Sequence, residues 1–217
     1  MGAVETARSE MSAALAIAPG VALWRERLNR IAQEELVADI FARLRDAPFY
    51  RPSMPGSGAE FSVEETNFGP LGWLSDRKGY RYAPAHPHTA KRWPDIPPAL
   101  LELWRDTTFY RAPPQCCLVN LYRAGARMGL HQDRDEAAMD APVLSVSLGD
   151  DALFRIGGTA RRGPTQGVKL NSGDVLMFGG PARLAFHGID RVAAGSSTLV
   201  PGGGRINLTL RRVTPPK

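Results

Sequence analysis

The chain after residue 115 is divided into short runs of apolar and β-branched residues by glycine-rich turns. Turns such as Gly157-Gly158 and Gly202-Gly203-Gly204 separate runs that are too short for ordinary helices. Many short strands joined by such turns are typical of an all-β sandwich or jelly roll. The predicted strands cover residues 116–123, 126–131, 143–149, 152–156, 174–178, 183–187 and 205–212.

The first half of the chain has a different pattern. Residues 32–46 carry apolar side chains at helical spacing, and residues 97–106 have a proline near a helix start, so two flanking helices are predicted. Residues 51–98 are rich in proline and glycine and hold six aromatic residues, which predicts hairpins and loops with exposed aromatic side chains. We expect a loose leader over residues 1–20, an N-terminal region over 21–115 and a β core over 116–217.

Length, charge and cysteine content restrict the class of protein. A chain of 217 residues with 43% hydrophobic residues suffices for one integrated globular domain. Its net charge of +5 permits a polyanionic partner without demanding one. Cys116 and Cys117 are adjacent in a predicted strand, so their side chains face opposite ways and we expect no mutual disulfide. The sequence has no signal-peptide, membrane-span or coiled-coil pattern, which makes a cytoplasmic monomer the default expectation.

The last predicted strand places several polar side chains on one face. Side chains alternate along a strand, so Ile206, Leu208 and Leu210 share one face and the polar residues share the other. Two arginines on one face suggest a ligand with two acidic ends, because guanidinium groups bind carboxylates in a two-pronged manner. A surface edge strand with a polar outer face is the alternative. The polar side chains of this strand and of the strand near residue 120 are Asn120, Tyr122, Arg205, Asn207, Thr209 and Arg211.

Two histidines and one aspartate form a candidate metal site. His131 and Asp133 share a strand face, and His187 follows another predicted strand. Two histidines with one carboxylate are the ligand set of non-haem Fe(II) oxygenases. Taken alone, each histidine is more often a surface or hydrogen-bonded structural residue. Beside a clamp for a dianion, the three residues indicate a 2-oxoglutarate-dependent dioxygenase that uses Fe(II).

A series of motifs extends from about residue 30 to residue 212. In chain order they are GxLGW ending at Trp73, Gly79-Tyr80, Asn120-x-Tyr122, HQDxDE at 131–136, SVSLG at 145–149, GG at 157–158, GDV at 173–175, HGI at 187–189 and RxNxTxR at 205–211. Each motif is modest, but their joint order is specific. In this order they resemble the AlkB family of Fe(II)/2-oxoglutarate nucleic-acid dealkylases.

The resemblance implies a fold and a role for each matching residue. The fold is mainly β with flanking helices, a double-stranded β-helix or jelly roll, with a nucleotide-recognition lid in the N-terminal region. His131, Asp133 and His187 match the iron ligands. Trp73 and His131 match a pair that sandwiches the alkylated base, and Asp135 matches an acid at the edge of the base. The residues matching 2-oxoglutarate contacts are Asn120, Tyr122, Arg205, Asn207 and Arg211, and those matching backbone or base contacts are Tyr80 and Arg161.

The resemblance also implies an activity. An enzyme of this family removes alkyl groups from bases such as 1-methyladenine and 3-methylcytosine, using Fe(II), 2-oxoglutarate and O2 and releasing an aldehyde, succinate and CO2. The expected partner is single-stranded or locally unpaired alkylated DNA, with RNA as a second candidate, because the damaged pairing edge must be unstacked. Two alternatives are a 2-oxoglutarate hydroxylase acting on a protein or small molecule, and a nucleic-acid-binding jelly roll without catalysis. Trp73 and Tyr80 argue against the first, and the metal residues argue against the second.

The chain departs from the family mainly in the lid. Ahead of Thr66 and Asn67 it has Ala59, Phe61 and Glu65, where the family has an aromatic residue and methionines. Glu65 is expected to bring negative charge near a phosphate backbone or a cationic base. Phe178 stands where the family has a tryptophan in the pocket wall. These positions bear on the range of adducts rather than on the iron chemistry.

Overall fold

The computed structural model describes residues 13–216, which form three antiparallel sheets and two α-helices. The helices are α1 (Arg30–Arg43) and α2 (Pro98–Thr108). The strands are β1 (Leu15–Ala18), β2 (Val21–Trp24), β3 (Glu64–Phe68), β4 (Gly72–Asp76), β5 (Gly79–Ala83), β6 (Cys116–Tyr122), β7 (Met128–His131), β8 (Val143–Gly149), β9 (Ala152–Gly157), β10 (Thr165–Leu170), β11 (Val175–Phe178), β12 (His187–Val192) and β13 (Arg205–Arg211).

Two of the sheets form the jelly roll, and the third is a hairpin. The large sheet has seven strands in the order β1-β2-β11-β8-β13-β6-β3, and the small sheet has four in the order β10-β9-β12-β7. Among the described strands, β4 and β5 pair with each other alone and form what we term the lid hairpin. This architecture confirms the predicted jelly roll with flanking helices.

The two helices cover one face of the large sheet. Ile40 of α1 and Trp104 of α2 pack in one buried cluster with Ile206, Leu208 and Leu210 of β13. Because side chains alternate along β13, its polar residues must point to the opposite face, toward the small sheet. The helices therefore brace the large sheet from outside and leave its inner face to form the site.

Local signals explain how the helices begin and end. The Asn29 side chain caps α1 by accepting a hydrogen bond from the Ala32 amide at 2.9 Å. Pro98 occupies the first turn of α2, where its missing N–H group is not needed. Phe109, the residue that follows α2, adopts the left-handed conformation with φ of +52° and ends the helix.

Several strands and side chains differ from the sequence prediction. Strand β1 falls within the expected loose leader and pairs with β2, while residues 1–12 of that leader lie outside the described residues. Strand β10 was not predicted, since its exposed and polar side chains give little apolar signal. The strand predicted at 183–187 is wrong, because this segment is a turn and β12 begins only at His187. Phe68 and Trp93 are core residues rather than exposed aromatics.

Two further expectations concern the cysteines and the membrane. Cys116 and Cys117 are both free and buried, which confirms that they form no mutual disulfide. Among residues 13–216, neither helix has the length and apolar character needed to cross a bilayer.

Candidate active site

The two candidate histidines face each other across a pair of antiparallel strands. His131 ends β7 and lies opposite His187, which begins β12. Directly opposed residues of an antiparallel pair carry their side chains on the same face. The two imidazole rings accordingly lie 4.5 Å apart, measured between ring centroids. Residues that are 56 positions apart in the sequence (131 and 187) are thus brought together by register.

Both histidines present the same ring nitrogen to the space between them. The Nδ1 atom of His131 lies 2.9 Å from the Gly129 carbonyl oxygen, and that of His187 lies 2.9 Å from the Ala185 carbonyl oxygen. A carbonyl only accepts hydrogen bonds, so Nδ1 carries the proton and Nε2 keeps its lone pair. The Nε2 atoms lie 3.8 and 3.9 Å from the carboxylate oxygens of Asp133.

The two imidazole nitrogens and the carboxylate lie close to one point. One ligand atom from each of His131, Asp133 and His187 lies within 4.8 Å of the other two. Two nitrogens and one oxygen are a donor set that suits Fe(II) and leaves positions open for other ligands. The residues present therefore fit the metal that the sequence implied.

Asp133 is also bound by an arginine of β13. The Arg211 side chain donates hydrogen bonds of 2.8 and 3.1 Å to the two carboxylate oxygens. Burial alone would raise the pKa of Asp133, but the guanidinium group of Arg211 and the two nearby histidines outweigh burial and hold the pKa below its usual range. Burial lowers the pKa of His187 to about 4, with His131 adding to the effect. At neutral pH the cluster thus offers an ionised carboxylate and a neutral His187.

A second set of polar side chains lies on the inner face of the large sheet. In the antiparallel register of β13 and β6, Arg205 lies opposite Tyr122, and Asn207 lies opposite Asn120. All four side chains are buried. They line the same cavity as the histidine cluster. The register therefore places these four polar side chains together on the inner face, as the alternating sequence of β13 predicted.

Arg205 has unmet hydrogen-bonding capacity. Its side chain is fully buried. Nη2 donates to the Ser147 hydroxyl at 3.0 Å, whereas Nε and Nη1 have no hydrogen-bond partner in the part of the chain that the structure describes. Its guanidinium carbon lies 5.4 Å from the centre of the Tyr122 ring. Burial lowers the pKa of Arg205, but a guanidinium group keeps its proton in proteins, so the side chain is a buried cation. A buried cation with two open donors fits a carboxylate ligand such as the distal end of 2-oxoglutarate.

Trp73 of the lid hairpin is held against the core by a side-chain clasp. The side-chain amide of Asn67 accepts a hydrogen bond from the backbone N–H of Trp73 at 3.0 Å and donates one to the backbone carbonyl of Trp73 at 3.1 Å. The indole ring stacks on Tyr80, with ring centroids 5.4 Å apart and planes 19° apart. The indole N–H donates to the exposed Asp135 carboxylate at 2.8 Å. The predicted contact of Asp135 with a base edge would therefore have to share this carboxylate with the Trp73 indole.

A cavity of about 850 Å³ joins all these groups. Its outer part is lined by exposed arginines, among them Arg127, Arg134 and Arg161, and by Tyr80, which is 47% exposed. The Arg161 guanidinium carbon lies 5.8 Å from the centre of the Phe186 ring. Every predicted site residue lines this cavity, namely Trp73, Tyr80, Asn120, Tyr122, His131, Asp133, Asp135, Arg161, His187, Arg205, Asn207 and Arg211.

A buried network behind the cluster was missed by the sequence analysis. Glu136 accepts a hydrogen bond from Arg183 at 2.9 Å and a short one from the Tyr82 hydroxyl, and the Arg211 Nε atom lies 3.7 Å away. Arg183 also donates to the Asp133 carbonyl oxygen at 2.6 Å. The network therefore ties the metal-site loop to the lid hairpin. The HQDxDE motif marked Glu136, but nothing in the sequence distinguished Arg183 from the other arginines.

Comparison with known proteins identifies related chains across most of the length. Residues 21–211 match the model of the 2OG-Fe(II) oxygenase superfamily. An alpha-ketoglutarate-dependent dioxygenase AlkB homolog of Caulobacter vibrioides is 57% identical over 200 residues, covering 91% of this chain and 90% of that protein. The alpha-ketoglutarate-dependent dioxygenase AlkB of Escherichia coli is 42% identical over 185 residues, covering 83% and 85%.

A third relative and a solved structure extend the comparison. The DNA N(6)-methyladenine demethylase ALKBH1D of Arabidopsis thaliana is 43% identical over 108 residues, which covers 45% of this chain and 24% of that protein. The solved structure of OsALKBH1 superimposes with a TM-score of 0.80 at 29% identity and covers 92% of this chain and all of that one. The similarity thus includes the strands that build the cavity.

Proposed function

Because the chain belongs to the AlkB family of the 2OG-Fe(II) oxygenase superfamily, we propose that it removes alkyl groups oxidatively from nitrogen atoms of bases in nucleic acid. It is an Fe(II)/2-oxoglutarate-dependent dioxygenase. The observation that carries the proposal is a single cavity that joins a two-histidine, one-carboxylate cluster, a buried arginine with open donors and a rim of aromatic and basic side chains.

Different residues of this chain would bind the metal and 2-oxoglutarate. When bound, iron with 2-oxoglutarate and O2 supplies the oxidising chemistry that converts the alkyl group to an aldehyde and the oxo-acid to succinate and CO2. His131, Asp133 and His187 would hold the metal through two Nε2 atoms and a carboxylate oxygen. Arg205 would pair with the distal carboxylate of 2-oxoglutarate, assisted by the Tyr122 hydroxyl. The clamp residues Asn120, Asn207 and Arg211 would complete the contacts to the oxo-acid.

The outer part of the cavity supports a nucleic-acid substrate. Exposed arginines at the rim suit phosphate contacts, which make affinity dependent on salt. Trp73 and His131 line the same cavity, so a base turned out of its stack can lie between them. Arg161 and Tyr80 would contact the backbone or the base. We propose single-stranded or locally unpaired DNA carrying 1-methyladenine or 3-methylcytosine as the substrate, with RNA of the same kind as a second one.

The remaining proposals concern organisation and location. Residues 21–115 would supply the flanking helices and the lid, and residues 116–217 would supply the catalytic core. We also propose that the protein acts as a monomer in the cytoplasm. The two free, buried cysteines accord with a reducing compartment.

The direct test is product analysis. The protein would be incubated with Fe(II), 2-oxoglutarate, ascorbate and a single-stranded oligonucleotide bearing one 1-methyladenine. We expect mass spectrometry to show loss of one methyl group, with release of formaldehyde and succinate in equal amounts. Succinate formed at the same rate with and without the oligonucleotide, and with no loss of methyl, would contradict the proposal and favour another substrate.

Trp73→Ala is expected to weaken substrate binding selectively. Stacking on an aromatic side chain contributes roughly 1–3 kcal/mol per base, so affinity for the oligonucleotide should fall by about one to two powers of ten. Turnover of 2-oxoglutarate without nucleic acid should persist, since Trp73 lies on the lid hairpin rather than in the clamp. Oligonucleotide affinity and melting temperature would be measured on the same variant. Trp73→Phe keeps a ring and should recover most of the affinity; a large fall in melting temperature with unchanged affinity would show a packing role instead.

A further inference from the structure

The carboxyl group of Glu65 is enclosed in the protein. Both of its oxygens are buried and form no hydrogen bond within residues 13–216, and the residue is 0% exposed. It nevertheless lines the active-site cavity. A buried carboxyl group without a partner lowers the stability of the fold, whereas a methionine or leucine of similar size would not. Folding therefore gives no reason for a glutamate here, and the reason is to be sought in a ligand.

The register of the large sheet fixes where Glu65 points. Glu65 lies opposite Asn120 of β6 on one side and opposite Tyr50 on the other, in an isolated antiparallel bridge. Opposed residues share a face, so Glu65 stands on the inner face, one strand beyond Asn120 toward the edge of the sheet. Strand β3 then leads directly into β4, which carries Trp73. Glu65 thus lies one strand beyond the residues proposed to bind 2-oxoglutarate, in the cavity that Trp73 and His131 also line.

The neighbours of Glu65 leave its charge uncompensated. The Tyr50 hydroxyl and the side-chain amide oxygen of Asn120 are also buried and have no hydrogen-bond partner among the described residues. The charged group that acts on Glu65 is Arg211 of β13, but its guanidinium already donates to both oxygens of Asp133. Burial raises the pKa of Glu65 to about 8, with Arg211 opposing the rise. In the absence of a cationic ligand the group therefore carries its proton at neutral pH.

We propose, on the basis of the function proposed above, that Glu65 is a specificity-determining residue whose carboxylate supplies the counter-charge for a cationic alkylated base. A positive charge within about 4–6 Å lowers the pKa of a carboxyl group by roughly 1–3 units, which suffices to ionise this one near neutral pH. Its proton is then released to solvent. A neutral alkylated base provides no such charge and meets an uncharged acid instead. The pocket thereby favours cationic over neutral lesions.

Asp135 does not make this group redundant. Its carboxylate is exposed and accepts the hydrogen bond of the Trp73 indole, so water screens its charge. Glu65 is enclosed, and charges interact more strongly where water is excluded. The effect of Glu65 on the charge preference is therefore expected to exceed that of Asp135.

The test compares two lesions in one oligonucleotide sequence, cationic 1-methyladenine and neutral 3-methylthymine. Binding affinity and kcat/KM would be measured for the wild type, Glu65→Gln and Glu64→Gln. Glu64 precedes Glu65 on β3, so its side chain lies on the opposite face of the strand, away from the cavity. It forms an ion pair of 3.4 Å with Arg51 and serves as the matched control. We expect Glu65→Gln to lower the preference for the cationic lesion by about tenfold at pH 7, the factor that corresponds to a fall of about two units in the pKa of Glu65 on binding of the cation. Glu64→Gln should leave the preference unchanged.

Each of the other outcomes would contradict either the role proposed for Glu65 or the proposed function. An unchanged preference in Glu65→Gln would overturn the proposal. A raised KM for 2-oxoglutarate with unchanged preference would also overturn it, by showing that the carboxyl group contacts the oxo-acid. Failure of the wild type to release aldehyde from either oligonucleotide would refute the proposed function, while the binding affinities would still report the charge preference.

The pH dependence of stability provides a readout independent of turnover. The pKa of Glu65 rises from 4.5 in the unfolded chain to about 8 in the fold, so between these values the unfolded chain has lost the proton that the fold retains. Wild-type stability from this group is therefore lost as pH rises from about 5 to 8. Glu65→Gln removes the titrating group, so its melting temperature should exceed that of the wild type by an amount that grows over this interval. A difference independent of pH would contradict an enclosed, protonated Glu65.

Discussion

Replacing Asp133 by alanine is expected to abolish turnover and to destabilise the protein. The substitution removes one of three converging ligand atoms and, with it, both hydrogen bonds from Arg211. Breaking a buried ion pair by removing one partner typically costs about 3–5 kcal/mol, because the other charge stays buried without a counterpart. Glu136, whose carboxylate lies 3.7 Å from Arg211, places the expected loss at the lower end of that range. Succinate formation and chemical denaturation would be measured on the purified variant.

A second substitution separates the two effects. In Asp133→Leu/Arg211→Met both charges are replaced by apolar groups, so stability should return toward that of the wild type while turnover stays absent. Asp140→Ala removes an exposed carboxylate of the same region, bonded only to the Tyr110 hydroxyl in the described part of the chain, and should keep both properties. Turnover by Asp133→Ala at a rate comparable to the wild type would exclude its carboxylate from the metal site.

Arg205→Lys is expected to raise the KM for 2-oxoglutarate by about ten- to a hundredfold. Lysine retains the charge but not the planar fork, and a hydrogen bond to a charged group is worth about 1.5–3 kcal/mol. The value of kcat at saturating 2-oxoglutarate should change much less, because Arg205 is not among the residues that converge on the metal position. Succinate release at varied 2-oxoglutarate concentration measures both quantities.

Arg205 is expected to favour the binding of 2-oxoglutarate without stabilising the ligand-free protein. Two nitrogens of Arg205 lack hydrogen-bond partners among residues 13–216, so Arg205→Met should melt no lower than the wild type when no oxo-acid is added. Addition of 2-oxoglutarate should raise the melting temperature of the wild type but not of this variant, since only a bound ligand stabilises the fold. The matched control for Arg205→Lys is Arg191→Lys, which makes the same change at an exposed position on β12. An unchanged requirement for 2-oxoglutarate in Arg205→Lys would mean that the distal carboxylate is held elsewhere.

Alternation of side chains explains why the inner face of the large sheet was predictable. Strand β13 has apolar residues at every second position, and these could pack only against the helices, which left Arg205 and Arg211 facing inward. Strand β10 was missed because most of its residues are polar or exposed, so its sequence gives little apolar signal from which to predict a strand. The segment before His187 misled the prediction, since apolar residues there fill a buried turn rather than a strand.

The candidate site is assembled by the register of paired strands, and that register cannot be read directly from the sequence. The resemblance to a family supplied the pairing of His131 with His187, whereas residue spacing alone left each of them ambiguous. The partners of Asp133 could not be inferred, because Arg211 and Arg183 reach it from distant strands and turns. Glu65 was expected near a phosphate backbone or a cationic base, and the structure buries it away from the surface. Whether a charged side chain on a short strand points inward depends on neighbours that are remote in sequence.

The clasp of Asn67 on the backbone of Trp73 divides the lid hairpin into a fixed end and a variable end. The amide supplies both hydrogen bonds that a further strand would have made, so the start of β4 cannot shift without breaking them. The opposite end is a turn of two exposed residues, Arg77 and Lys78, followed by Gly79, where an added Cβ atom would meet no other described atom within 4 Å. Insertions or substitutions at that tip can accumulate over evolutionary time, or be introduced in a library, without altering the oxidising centre. The hairpin thus offers a route by which one reaction is adapted to nucleic acids of different shape.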